Sequence, residues 1–150
     1  MNRTQKAVHL FENGLTCSQA ILTAFGEAYG IDPESAKNLG RPWGGGVGRL
    51  GRTCGSVSGA IILLGYARVG GQDEAEARNN LCALIQELVQ RFEERNGTSV
   101  CSELLGVDFT TEEGQQRIKE EMLVKKLCPK FVEDAGIILT DLLGHQREEP

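Results

Sequence analysis

Cysteine is the residue type through which this chain could do chemistry, and four of its five cysteines fall in similar settings. Cys17 follows Thr16, with Gln19 placed to complete a capping box, and an apolar helical run comes after. Cys54 follows Thr53 and precedes the apolar stretch Val57 to Leu64, while Cys101 falls in the first turn of a helix whether Thr98 or Ser99 is its cap. Pro129, favoured at a first helical position, marks Cys128 as a cap. A sulfur at a helix start meets unpaired N–H groups and the positive end of the dipole, which favours thiolate over thiol. Thiolates attack disulfides and bind metals.

Around these sites the pattern is helical. Ala7, Val8 and Phe11 share a face in residues 3–13, as do Ala20, Ile21, Ala24, Phe25 and Ala28 before a stop at Gly30. Asp32-Pro33-Glu34 opens a short helix, and Leu81, Ile85, Leu88 and Phe92 stripe a long one from Asp73 to Arg95, ended by Asn96-Gly97. Thr111 starts a helix reaching Leu127, and Pro129 to Leu143 forms the last. Nothing alternates for long enough to make a strand, so the expected fold is an all-α bundle of about six or seven helices in one domain, residues 1–150. The polar stretch from His145 to Pro150 reads as a frayed tail.

Arg41 to Thr53 is the exception, with five glycines in thirteen residues. Its amides, Arg41, Arg49, Arg52 and a following helix start suggest an anion cradle, against the plainer reading of a tight loop packed by Trp43. Neither a Walker ending nor a preceding strand is present, which excludes a nucleotide fold. A third reading joins the two: the loop brings amides and an arginine to Cys54 and lowers its pKa. Gly55 and Gly59, one turn apart, let another helix approach closely and carry a second cysteine toward Cys54.

The remaining candidates are weaker. Cys82, mid-helix, reads as a small apolar residue on the side of Ile85 and Val89. His9 and His145 have no ligand spacing, Glu112, Glu113, Glu120 and Glu121 read as solvated faces, and Ser56 and Ser58 lack a base. A net charge of −5 and a pI near 5.1 speak against nucleic acid or an anionic membrane as partner. The start lacks the apolar core of a signal peptide and the longest aliphatic run, Ala60 to Leu64, is too short to span a bilayer, so the expected compartment is the cytoplasm. Spaced cysteines in that reducing setting are more often catalytic or metal-binding than structural.

No Cys-x-x-C pair is present, so neither a thioredoxin-like motif nor the close pairs of common zinc and iron–sulfur sites is available. The four thiols act only if folding gathers them. An isolated cysteine, then Cys54-Gly55-Ser56-Val57-Ser58-Gly59 after a glycine-rich stretch, then two more isolated cysteines, resembles the C_GCAxxG_C_C family from Leu15 to Leu143. Ser56 stands where that pattern has alanine, which adds a hydroxyl donor near Cys54. The resemblance implies redox activity at Cys17, Cys54, Cys101 and Cys128, with a protein or small-molecule redox partner. On this reading Cys54 is the attacking thiolate, Cys17, Cys101 or Cys128 resolves the mixed disulfide, and no cofactor is required. The alternatives are a four-thiolate zinc or iron–sulfur protein without turnover and a helical interaction module with structural cysteines.

Overall fold

The computed structural model describes residues 1–67 and 70–146. Eight α-helices follow in order: α1 Arg3–Glu12, α2 Cys17–Gly26, α3 Pro33–Gly40, α4 Gly55–Tyr66, α5 Glu74–Asn96, α6 Cys101–Leu105, α7 Glu112–Glu120 and α8 Leu123–Gln146. No strand occurs among the described residues, only an isolated antiparallel bridge between Thr53 and Val100. The all-α expectation holds, with slightly more helices than expected. The tail beyond Gln146 lies outside the described residues. No described helix is long and apolar enough to cross a membrane.

Local chemistry explains most of the starts. Thr16 and Gln19 form the full capping box of α2: the Gln19 N–H donates to Thr16 Oγ1 at 3.3 Å and the Thr16 N–H to Gln19 Oε1 at 3.1 Å. Asp32 caps α3 with Pro33 first inside it, and Asp73 and Thr111 cap α5 and α7. Three starts differ from expectation. Cys54 itself, not Thr53, caps α4, because Thr53 is held in its bridge to Val100. Val100 caps α6.

The largest difference lies at Pro129. It does not open a helix but sits inside α8, leaving Cys128 in the second turn instead of at a cap. The break falls earlier, at Met122, whose φ of 51° takes the left-handed conformation and separates α7 from α8. Six residues of helix, under two turns, therefore precede Pro129, and the Lys125 carbonyl loses the N–H it would have received from that residue.

One apolar core runs through the molecule, with Phe25, Phe92, Leu63, Leu64 and Leu139 fully buried. Helix α2 is its centre, packed against α1, α3 and α4, while α8 lies along α1, α4 and α5. Small residues set the closest approaches. A Cβ on Gly59 would lie 3.0 Å from the Ser18 carbonyl oxygen, and one on Gly55 would lie 3.3 Å from the Cys17 Cβ. The fully buried Ser18 hydroxyl donates to the Gly40 carbonyl at 2.6 Å, which ties α2 to the end of α3.

Candidate functional site

Three separate devices bring the four cysteines together. The first is the Gly55–Gly59 face of α4, which admits α2 so closely that Cys17, the first residue of α2, arrives beside Cys54. The second is a short antiparallel pairing: the Cys54 N–H donates to the Ser99 carbonyl at 2.8 Å, the Cys101 N–H to the Arg52 carbonyl at 2.6 Å and the Ser102 N–H to the Gly51 carbonyl at 3.1 Å. That ladder places Cys101 next to Cys54. The third is α8, whose continuation on the N-terminal side of Pro129 carries Cys128 to the same cavity, near enough to the Cys17 thiol to raise its pKa.

The glycine loop makes the ladder possible. Gly45, Gly46, Val47, Gly48 and Arg49 are five consecutive residues with φ between 56° and 70°, and Gly51 adds a sixth such position at 70°. For branched Val47 this is a costly conformation. It persists because the loop closes on itself: the amides of residues 47 to 52 all donate to carbonyls between Pro42 and Val47. Those amides are therefore spent internally, which favours the structural reading of the loop over an anion cradle. Gly46 is irreplaceable for a second reason, since a Cβ there would lie 2.7 Å from the Cys101 Cβ.

Cys17, Cys54, Cys101 and Cys128 line one cavity of about 210 Å³, walled by side chains that include Phe11, Leu105, Phe109 and Phe131. Among the described residues no charged side chain lines it. Cys54, Cys101 and Cys128 are buried, and Cys17 is half-buried as a residue with its sulfur enclosed. All four are free thiols. Cys82 instead lies exposed on α5, correcting the expectation that it packs as an apolar residue.

The electrostatics overturn one expectation. Arg49 and Arg52 are exposed and take no part in the cavity, so no positive side chain supports a thiolate there. Burial and then the nearby Cys17 sulfur push the Cys54 thiol up to about 12. Burial, then Cys54 and Cys17, push Cys101 up to about 12 as well. Contact with Cys128, followed by burial, raises Cys17 well above the ordinary thiol range. Helix-start effects exist but lose. The Ser56 and Val57 amides face the Cys54 sulfur and lower its pKa, without forming a capping bond of normal geometry. These thiols are neutral at pH 7.

Ser56 has an unusual place among them. It is fully buried and its Oγ has no hydrogen-bond partner, yet it lies near enough to the Cys17 and Cys54 sulfurs to draw both pKa values down. Among the described residues no three His, Cys, Asp or Glu side chains are arranged to hold a metal ion, so a zinc or iron–sulfur centre does not fit the arrangement as it stands.

Sequence reasoning found all four cavity cysteines but not the wall that encloses them. Phe11, Phe109 and Phe131 come from α1, the segment after α6, and α8, and only their helical or loop positions, not their convergence, are visible in one dimension. No curated protein and no solved structure matches this chain. Residues 15–142 match the family described as "Putative redox-active protein (C_GCAxxG_C_C)", a span that begins just ahead of Cys17 and ends beyond Cys128; with its four cysteines gathered in one cavity, this chain belongs to that family.

Proposed function

We propose that the protein is a thiol electron donor in which two cavity cysteines pass an electron pair to an acceptor and close into a disulfide. The observation that carries this reading is the meeting of Cys17, Cys54, Cys101 and Cys128 in one cavity, where Cys128 lies near enough to Cys17 to raise its pKa. Cys17 is the attacking sulfur, because it has Cys128 beside it to resolve the mixed disulfide and Ser56 to lower its pKa. Cys128 resolves. Cys54 and Cys101, joined through the Thr53–Val100 bridge, form a second pair that the same cavity serves.

The direction of electron flow follows from the missing counter-charge. A dithiol gains stability over its disulfide when its thiolates are stabilised, and proteins that do this are oxidants. Here contact with Cys128 and burial oppose ionisation of Cys17, so the reduced form lacks that support and the pair is better suited to give electrons than to take them. In the reaction the two thiols lose two electrons and two protons, and the acceptor gains both.

The test is direct. Reduced Cys82→Ser protein, titrated with diamide and mapped by mass spectrometry of its peptides, is expected to yield a Cys17–Cys128 disulfide first. Cys17→Ser should abolish it while the helical content stays unchanged. A protein in which no disulfide forms among the four cysteines, although diamide is consumed or left in excess, would sink the proposal.

A further inference from the structure

The cavity also restricts what the thiols can react with. Resting on the thiol-donor reading above, we infer that the acceptor is a small, uncharged organic disulfide that enters the cavity, and not a protein disulfide or a charged one.

Size excludes a protein. A mixed disulfide between two polypeptides brings their Cα atoms to about 4.4–6.8 Å. Cys54, Cys101 and Cys128 are buried behind the cavity wall and the Cys17 sulfur is enclosed, so a folded partner cannot bring its backbone that close without displacing the wall. The cavity, about 210 Å³, is smaller than the 300–1,000 Å³ or so of sites for drug-sized ligands. A molecule of a few heavy atoms fits.

Charge excludes the ionic members of that size class. The described lining has no charged side chain, and its one hydroxyl outside the sulfurs, Thr16 Oγ1, is already committed to capping α2. A carboxylate or ammonium would lose its hydration there and find no partner. The charges stop outside. Phe11, Gly14, Leu15 and Val124 are shared between the cavity and an outer groove of about 710 Å³, and the groove carries Glu12, Lys119 and Lys125. Those shared residues are the wall a molecule from the groove would have to pass.

Bond type follows from the transition state. Reduction of a peroxide or carbonyl builds charge on a single oxygen, which needs a cation or aimed donors. Thiol attack on a disulfide spreads charge over three sulfurs and needs neither. The balanced step is plain. Cys17 loses its proton and attacks one sulfur, an RS⁻ group leaves and takes that proton, and Cys128 then displaces the second RS⁻ from Cys17, giving its own proton to it. One R–S–S–R is reduced to two RSH, and two protein thiols are oxidised to one disulfide.

Three reagents with the same four-carbon, two-sulfur frame separate the possibilities: bis(2-hydroxyethyl) disulfide is neutral, 2,2′-dithiodiacetate is anionic and cystamine is cationic. Single-turnover oxidation of the reduced Cys82→Ser protein by each is divided by that reagent's rate with free 2-mercaptoethanol at the same pH and salt. The neutral reagent is expected to exceed both charged ones by about tenfold or more after this correction. Equal corrected rates, or a preference for either charged reagent, would overturn the inference and leave the donor reading standing. So would a protein that diamide oxidises but none of the three disulfides does. If no oxidant, diamide included, forms a disulfide among the four cysteines, the donor reading fails and takes this inference with it.

Discussion

Cys128 and Asp134 lie on α8 less than two turns apart and are both buried, yet the fold treats them in opposite ways. Burial by itself would raise the pKa of Asp134, but Lys130 at 2.6 Å and Arg95 at 2.9 Å outweigh it and hold the carboxyl below its usual range. Around Cys128 the neighbours are other thiols and apolar walls, and no opposite charge is supplied. The carboxylate is fixed in one ionisation state and joins α5 to α8. The neighbours of Cys128 in that cavity, Cys17, Cys54 and Cys101, keep their protons and so keep their covalent options. A buried ionisable group that is paired holds structure; one left unpaired among its own kind is poised to change its bonding.

The sharpest way to separate the two regions is by pH. Asp134 contributes stability that is present above the unfolded carboxylate pKa near ~3.9 and is lost as pH falls through its lower folded value. That contribution is small, because Lys130 and Arg95 are about half exposed. The thiols act on the alkaline side with the opposite sign. Their folded values lie above the unfolded value near ~8.5, so stability is complete below about pH 8.5 and falls as pH rises toward the folded value of about 12 at Cys54 and Cys101. Each contributes a loss of up to about 1.4 kcal/mol per pH unit in that window. Urea unfolding of the reduced protein between pH 8 and 10 should show this decline, and Cys54→Ser should make it shallower. A flat profile would mean that the sulfurs are hydrated, not enclosed.

A somewhat smaller effect is expected from Gly59→Leu. The new side chain meets the Ser18 backbone, which cannot move aside as a flexible side chain would, and overpacking of this kind costs about 1–3 kcal/mol. Unfolding should shift accordingly, and the Cys17 thiol should become more accessible to alkylation as α2 is pushed off α4. Gly65→Ala on the same helix has open space around it and serves as the control, with stability unchanged or slightly raised.

The smallest effect, and the one that most refines the comparison, is expected from Ser56→Ala. Removing an orphaned buried hydroxyl should leave the reduced protein as stable as before or up to about 1 kcal/mol more stable. Its oxidation by a disulfide should nevertheless slow, because Cys17 and Cys54 lose a donor that lowers their pKa values. Stability and rate moving in opposite directions would mark Ser56 as serving the ionised sulfur, whereas parallel loss of both would mark it as packing.

Legibility varied with the range of the interactions involved. The α2 start was readable because Thr16 and Gln19 satisfy each other within one turn, and the all-α fold because its apolar stripes repeat every three to four residues. The α8 start was misread because Pro129 is a strong local signal for a first turn, and the packing that carries the helix back to Leu123 is not local. Arg49 and Arg52 were placed beside Cys54 by their sequence neighbourhood, but five consecutive left-handed residues fold the loop back on itself and leave both arginines exposed.

From the chain alone came the identity of the four cysteines, three of their positions at helix starts, and the glycines that permit close approach, since each depends on residue type and short spacing. The charge state of the sulfurs came only with tertiary structure. A helix start favours a thiolate by a local field, while enclosure among apolar walls and other thiols opposes it from every direction, and no reading of nearest neighbours reveals which of the two is stronger.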